Sequence, residues 1–265
     1  MNYTAILLTL IPALSGYEIT ENPGQGFEWP GGTRTAVCLT YDDALDCHLD
    51  NAVPALDRYG LKGTFYCTGQ SPSLQKRTDE WREIAANGHE LGNHTLFHPC
   101  DASRADWVKH EYDLTSYTLE QILNELFTAN TLLKAIDGKE ERSFAYTCTD
   151  HRIENNIDFA TELSGLFPAA RAGGPVPSSI DEIDPYLVPS WPVDEPTGED
   201  LIRYAKEALE KGTLAVFMFH SVGGGYLNVS DEAHEQLLKY LNSNRDLYWT
   251  DTFLDVMKYW KSKTE

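Results

Sequence analysis

Three short stretches carry residue types that can do chemistry together. "LTYDDA" holds adjacent carboxylates at Asp42 and Asp43, "GNHTLFHP" holds histidines four residues apart at His94 and His98, and "LAVFMFHSVGGG" ends an apolar run in His220. Two histidines and a carboxylate are a common ligand set for zinc or a similar divalent ion, with positions left open for water and substrate. Such an ion brings the pKa of water toward neutrality, and a second carboxylate nearby can take the proton. A separate histidine, His220, could then protonate a leaving group. The histidine pair is not the helical H-E-x-x-H arrangement, because Thr95 stands where that motif has its glutamate and Pro99 disfavours helix at the residue before it. The stretch reads as a strand end turning into a loop. Singly each feature has a bland explanation: paired aspartates cap helices, and a lone histidine after a strand is usually structural. Their joint placement carries the argument.

That placement depends on the elements. Apolar, β-branched or aromatic runs bounded by turn residues predict strands at about 36–43, 63–68, 90–94, 143–148, 166–172, 186–192, 214–221 and 247–250. Helical patterns alternate with them. In "TLEQILNELFTANTLLKAIDG" the apolar residues from Leu119 to Ile136 recur near a 3.6 period, Thr118 with Gln121 makes a capping box, and Gly138 ends the helix. Gly212 closes "TGEDLIRYAKEALEKG", and Ser230 caps "SDEAHEQLLKYL". Further helices are predicted at 48–59, 79–87, 152–163 and 252–261. The alternation predicts an α/β fold with a parallel sheet, read as a distorted (β/α) barrel of seven or eight strands. Chemistry in such barrels collects at the C-terminal ends of the strands, where Asp42, Asp43, His94 and His220 fall.

Composition narrows the partners. The chain has 265 residues with 42% hydrophobic and 23% charged content, enough for a sizeable core. A net charge of −20 repels nucleic-acid phosphates and anionic membranes. No stretch approaches the ~20 apolar residues of a membrane span. The five cysteines include no CxxC pair, and Cys38 and Cys67 sit in apolar runs as core thiols. The N-terminal run "AILLTLIPAL" leads to a reading of residues 1–15 as a signal peptide, hence a secreted or extracytoplasmic protein, with a packed terminal stub in a cytoplasmic protein as the alternative. Residues 16–265 are then read as one domain.

"LTYDDA", "HTLFHP" and "FMFHSVGGG" together resemble the polysaccharide deacetylases of carbohydrate esterase family 4, the NodB-homology domain, over about residues 35–260. The resemblance implies a metal-dependent hydrolase that removes acetyl groups from oligo- or polysaccharides, at an N-acetyl amide or an O-acetyl ester. It assigns Asp42 as catalytic base, Asp43, His94 and His98 as ligands of one divalent ion (zinc, with cobalt or nickel as alternatives), and His220 as catalytic acid. It further places Trp191 and Met218 around the acetyl group and Thr95 behind the metal-ligand loop.

One motif departs from the family pattern. The third motif normally resembles R-P-P-Y, with an arginine that orients the base, but here the segment is "SFAYTCTD", with Ala145 in the arginine's place and Cys148 in the tyrosine's. The backbone N–H of Cys148 could still serve the oxyanion. Arg171, at the end of the next predicted strand, is the expected replacement for the arginine. Two other readings compete: a carbohydrate-binding barrel without catalysis, and a hydrolase of small cyclic amides or imides, which would need a small closed pocket.

Overall fold

The computed structural model describes residues 27–264, so the segment read as a signal peptide lies outside the described residues. The strands are β1 (Thr35–Asp42), β2 (Thr64–Cys67), β3 (Glu90–Asn93), β4 (Phe144–Ala145), β5 (Ala170–Arg171), β6 (Trp191–Pro192), β7 (Leu214–Phe219) and β8 (Tyr248–Thr250). The α-helices are α1 (Val53–Arg58), α2 (Pro72–Lys76), α3 (Thr78–Ala86), α4 (Leu119–Asp137), α5 (Gly198–Lys211), α6 (Asp231–Ser243) and α7 (Phe253–Thr264). The sheet runs β5-β4-β3-β2-β1-β7-β6, with β8 pairing β1, and every pairing is parallel. The sheet curls into a distorted β/α barrel. Its two ends approach where Ala172 N–H donates to Val188 O at 2.7 Å and Gly174 N–H donates to Ser190 O at 3.0 Å.

Side-chain alternation along these strands decides what faces the barrel interior. In β1, Val37, Leu39 and Tyr41 pack in the core under the helices, while Asp42 points the other way. Phe217 and Phe219 of β7 join Tyr41 in that helix-side core, leaving Met218 and His220 on the opposite face. Phe65 of β2 and Leu91 of β3 follow the same rule, so Tyr66 and Gly92 face inward. Gly92 is required there: a Cβ would meet the Tyr66 ring at 2.4 Å.

The helix caps form as the sequence predicts. Thr118 with Gln121 is a capping box on α4, Gly138 ends α4 in the left-handed region, Gly212 ends α5, and the Ser230 side chain caps α6. Within α4 the buried stripe is Ile122, Glu125, Leu126, Ala129, Leu133 and Ile136, whereas Phe127 is exposed.

The second half of the chain departs from expectation. Strands predicted at 143–148, 166–172 and 186–192 shrink to two paired residues each. The helix predicted over 152–163 is instead two short 3₁₀ turns, Glu154–Asn156 and Phe159–Gly165. Asn155 and Asn156 both have positive φ, a conformation that asparagine tolerates and an α-helix does not allow, and the Asp158 side chain accepts from Ala160 N–H to start a new turn.

Candidate active site

Asp42 ends β1, and the next residue, Asp43, takes a left-handed φ of 79° while its N–H donates to Tyr66 O at 2.9 Å. The break in alternation turns both carboxylates into one space. His94 directly follows β3, and its N–H is held by Cys67 O at 3.2 Å. His94 Nδ1 lies 2.8 Å from Ala145 O and donates to it, which leaves Nε2 as the bare nitrogen facing the carboxylates. His98 is reached through a loop in which Thr95 and His98 both have positive φ and Thr95 Oγ1 accepts from His98 N–H at 3.0 Å.

Three ligand atoms converge. Asp43 Oδ1 lies 3.3 Å from His98 Nε2 and 3.6 Å from His94 Nε2, and the ligand atoms of this trio all lie within 4.8 Å of one another. His220 Nε2 stands 4.0 Å from the other oxygen, Asp43 Oδ2, which also accepts a hydrogen bond from Tyr226 OH. Asp43 Oδ1 is buried without a hydrogen-bond partner, as a cation ligand would be before its ion is counted. The donor set, carboxylate with two imidazoles, fits a divalent ion such as zinc.

Electrostatics distinguish the three groups. Burial pushes the His94 pKa down to about 4, keeping the ring neutral and able to ligate. Burial acts to raise the Asp43 pKa, but the neighbouring imidazoles, His98 foremost and then His94 and His220, outweigh it and hold the carboxyl well below the usual range. Burial likewise opposes protonation of His98, yet contact with Asp43 leaves its pKa above the ordinary histidine value.

Behind Asp42 lies Arg171, fully buried, with Nη2 donating to Asp42 Oδ2 at 2.5 Å and Nη1 donating to Ser190 Oγ at 3.2 Å. The guanidinium carbon sits 5.0 Å from the Tyr66 ring centroid. Arg171 is the register partner of Ala145 across the β4–β5 pair. Residues in register on adjacent parallel strands point to the same face, so the cation enters one strand away from the position where the third motif lacks its arginine. The other oxygen, Asp42 Oδ1, is buried and unpartnered, as is His220 Nδ1.

The predicted site residues do not all meet. Asp42, Asp43, His94, His98, Cys148, Met218 and His220 line one cleft of about 1140 Å³. Trp191 does not. It pairs in register with Phe217, packs 5.1 Å from the Tyr204 ring and lines a separate hollow, while Pro192, in register with Met218, faces the cleft. A one-residue offset in register moves a strand side chain to the opposite face. Cys148, with φ 51°, is disulfide-bonded to Cys100, a pairing absent from the sequence reading; Cys38 and Cys67 are buried free thiols.

Several supporting residues went unread in the sequence. Glu125, on the buried stripe of α4, accepts at Oε2 from the N–H groups of Leu96 and Phe97, both at 3.1 Å, and at Oε1 from Tyr117 OH at 2.7 Å. It anchors the loop that carries His94 and His98, and a carboxylate on an apolar helical stripe was the available signal. Asn93 Oδ1 accepts from Thr95 N–H at 2.8 Å in the same loop. His48 is fully buried; its Nδ1 accepts from Leu45 N–H, so Nε2 donates to the backbone oxygen of His220 at 2.8 Å.

The fold is a distorted β/α barrel with a carboxylate–imidazole cluster at the strand ends. The polysaccharide deacetylase family model matches residues 29–158, and the chain belongs to the polysaccharide deacetylase family. It is 22% identical over 221 residues to the peptidoglycan-N-acetylglucosamine deacetylase of Bacillus cereus, covering 79% of this chain and 64% of that protein. It is 24% identical over 258 residues to a gellan lyase of a Bacillus species, covering 87% of this chain but 10% of that protein. The chain thus spans less than two thirds of each of these relatives. The fold is similar to the Xyl-CE4 domain of a multidomain xylanase from the hindgut metagenome of Trinervitermes trinervoides, with TM-score 0.54, 16% identity, and 86% and 91% of the two chains covered. Among the described residues no helix is long and apolar enough to cross a membrane.

Proposed function

We propose that this chain hydrolyses acetyl groups from an acetylated oligo- or polysaccharide, with Asp43, His94 and His98 holding one divalent ion. When bound, that ion supplies Lewis-acid activation of water and of the acetyl carbonyl. The chain's own groups do the rest. Asp42 takes a proton from the attacking water at its unpartnered Oδ1, while Arg171 and the strand hold Oδ2 in place. The Cys148 N–H faces the negative charge that develops on the carbonyl oxygen. His220 gives a proton to the departing sugar nitrogen or oxygen, and acetate leaves. Met218 and Pro192 line the space for the acetyl methyl.

The observation that carries this reading is the Arg171–Asp42 pair. Arg171 restores beside Asp42 the cation that the altered third motif lacks, which supports a working base over the binding-protein alternative. The size of the cleft argues against a small cyclic amide as substrate. The test is acetate release from N-acetyl chito-oligosaccharides and O-acetylated xylo-oligosaccharides by wild-type and Asp42→Ala protein. Release by the wild type alone supports the reading and tells amide from ester; equal release by both, or none from any substrate, rejects it. Secretion is proposed on the N-terminal apolar run alone, and is checked by finding the mature N-terminus in culture medium.

A further inference from the structure

A buried imidazole that touches neither substrate nor ion joins the ends of two strands that carry the chemistry. His48 opens a π-type turn, His48–Ala52, in which Val53 N–H donates to His48 O, one residue further back than an α-helix would reach. Such turns occur mostly singly and often at functional sites. The His48 ring is fully buried among Tyr41, Phe65 and Trp81, with centroids 5.6, 5.7 and 6.4 Å away. The surrounding rings hold it in place, and both of its nitrogens are used.

On one side His48 closes the turn that leaves β1. Leu45 N–H donates to His48 Nδ1 at 3.2 Å, and His48 N–H donates back to Leu45 O at 3.1 Å. That turn carries Asp43 and Ala44 at φ 79° and 51°, a backbone that side chains other than glycine keep only where the surroundings impose it. On the other side His48 Nε2 donates to His220 O at 2.8 Å. His220 lies just past β7, beyond the last pair of the β1–β7 ladder, Tyr41 with Phe219. Where the ladder stops, His48 takes over. Asn51, from the same π-type turn, donates to Val222 O at 2.7 Å, so alternate carbonyls of the chain leaving β7 are held. The His220 side chain needs that backbone support, because its Nδ1 is buried without a hydrogen-bond partner. Its Nε2 stands 4.0 Å from Asp43 Oδ2, and a drift of about 1 Å would bring the two within hydrogen-bond range.

We propose that His48 is a positioning residue for proton donation by His220. By bridging Leu45 N–H and His220 O, it keeps the acid facing the leaving group and off the Asp43 carboxylate. The proposal rests on the deacetylase reading, so the test isolates the acid step. 4-Nitrophenyl acetate gives a phenolate that departs without a proton, whereas a sugar amine or hydroxyl leaves only as it takes one. His48→Gln keeps a donor near the Nε2 position and loses the Nδ1 acceptor. His48→Asn keeps an acceptor near Nδ1 and is too short to reach His220 O. Both remove the ring from its aromatic surroundings, so losses of packing are matched.

The readout is the ratio of kcat on the acetylated sugar that wild type prefers to kcat on 4-nitrophenyl acetate. It should fall at least about tenfold in His48→Asn and stay within about threefold of wild type in His48→Gln, with KM for the sugar little changed in either. A merely structural role would lower both substrates together and leave the ratio where it was. The carbonyl carbon-13 shift of His220, read after selective labelling, should move in His48→Asn and hold in His48→Gln, independent of turnover. An unchanged ratio in His48→Asn, a ratio lowered equally in both variants, or a His220 shift that stays put in His48→Asn would overturn the proposal. The expected shifts in a wild type and variants that hydrolyse 4-nitrophenyl acetate but no acetylated sugar would support the bridge and reject the deacetylase reading alone.

Discussion

Replacing Arg171 by methionine removes a fully buried cation while keeping most of the side-chain volume, so the consequence is chiefly electrostatic. Asp42 is 2% exposed and would keep its carboxylate in the barrel with no cation on it. Two unit charges about 4 Å apart attract by ~4 kcal/mol at an effective dielectric of about 20. Breaking one partner out of a buried pair costs about 3–5 kcal/mol, because the other charge stays buried. For a domain of this size that is a fall in Tm on the order of 10 °C. Turnover should fall about 100-fold, the usual consequence of a reacting group displaced by about 1 Å. KM should change little, since Arg171 is fully buried and meets no substrate. The double variant Asp42→Asn/Arg171→Met removes both charges. It should recover much of the stability lost in Arg171→Met and none of the activity, a coupling that a double-mutant cycle reads directly. The assays are thermal unfolding and acetate release under saturating substrate. An Arg171→Met enzyme with turnover within twofold of wild type, or a double variant no more stable than the single one, would refute the reasoning.

Further expectations follow from the same geometry. The Cys100–Cys148 bond closes a sequence separation of 48 residues, for which chain entropy gives a stabilisation of about 4 kcal/mol. Dithiothreitol, or Cys100→Ser with Cys148→Ser, should therefore lower Tm and turnover together; unchanged values in both would show that the crosslink supports neither loop. Burial lowers the pKa of both His48 and His234 to about 4. The unfolded chain takes up protons on them near pH 6.5 and the folded chain does not, so stability is complete above pH 6.5 and is lost as pH falls toward 4. From pH 6.5 to 5 the loss is about 2 kcal/mol per histidine, visible as a lower urea midpoint, and a flat midpoint would contradict the burial argument. Glu125→Gln keeps the Glu125 position but withdraws the charge that holds the N–H groups of Leu96 and Phe97. Metal affinity, measured by chelator competition, should fall on the order of 10-fold, the low end for losing a group that supports ligands; unchanged affinity would show that the loop holds itself.

Much of this site was legible because strand ends and alternation follow local rules. Asp42, His94 and His220 sit on inward-facing positions at the ends of long or well-bounded strands, and β1, β3 and β7 were read to within two residues. The lone arginine in "AARAGG" was readable for a related reason, since the strand before it had no other polar side chain. Legibility failed where long-range contacts decide. Trp191 was placed on the wrong face because β6 is two residues long and its register is set by β7, not by its own pattern. The Cys100–Cys148 pair depends on two loops that meet only once the barrel has formed. The 152–163 segment has a helical apolar spacing, but its Asn155–Asn156 pair turns the backbone left-handed.

The central claim is that Asp43, His94 and His98 hold an ion without which this chain does not hydrolyse acetyl groups. The most direct measurement is acetate release by metal-stripped protein titrated with zinc, repeated with cobalt, on the substrate that wild type prefers. The account predicts no release without metal and a rise that levels off at one equivalent, with Asp43→Ala and His98→Ala failing to reach that plateau. Full activity in the stripped protein, or a plateau unchanged in both ligand variants, would contradict it.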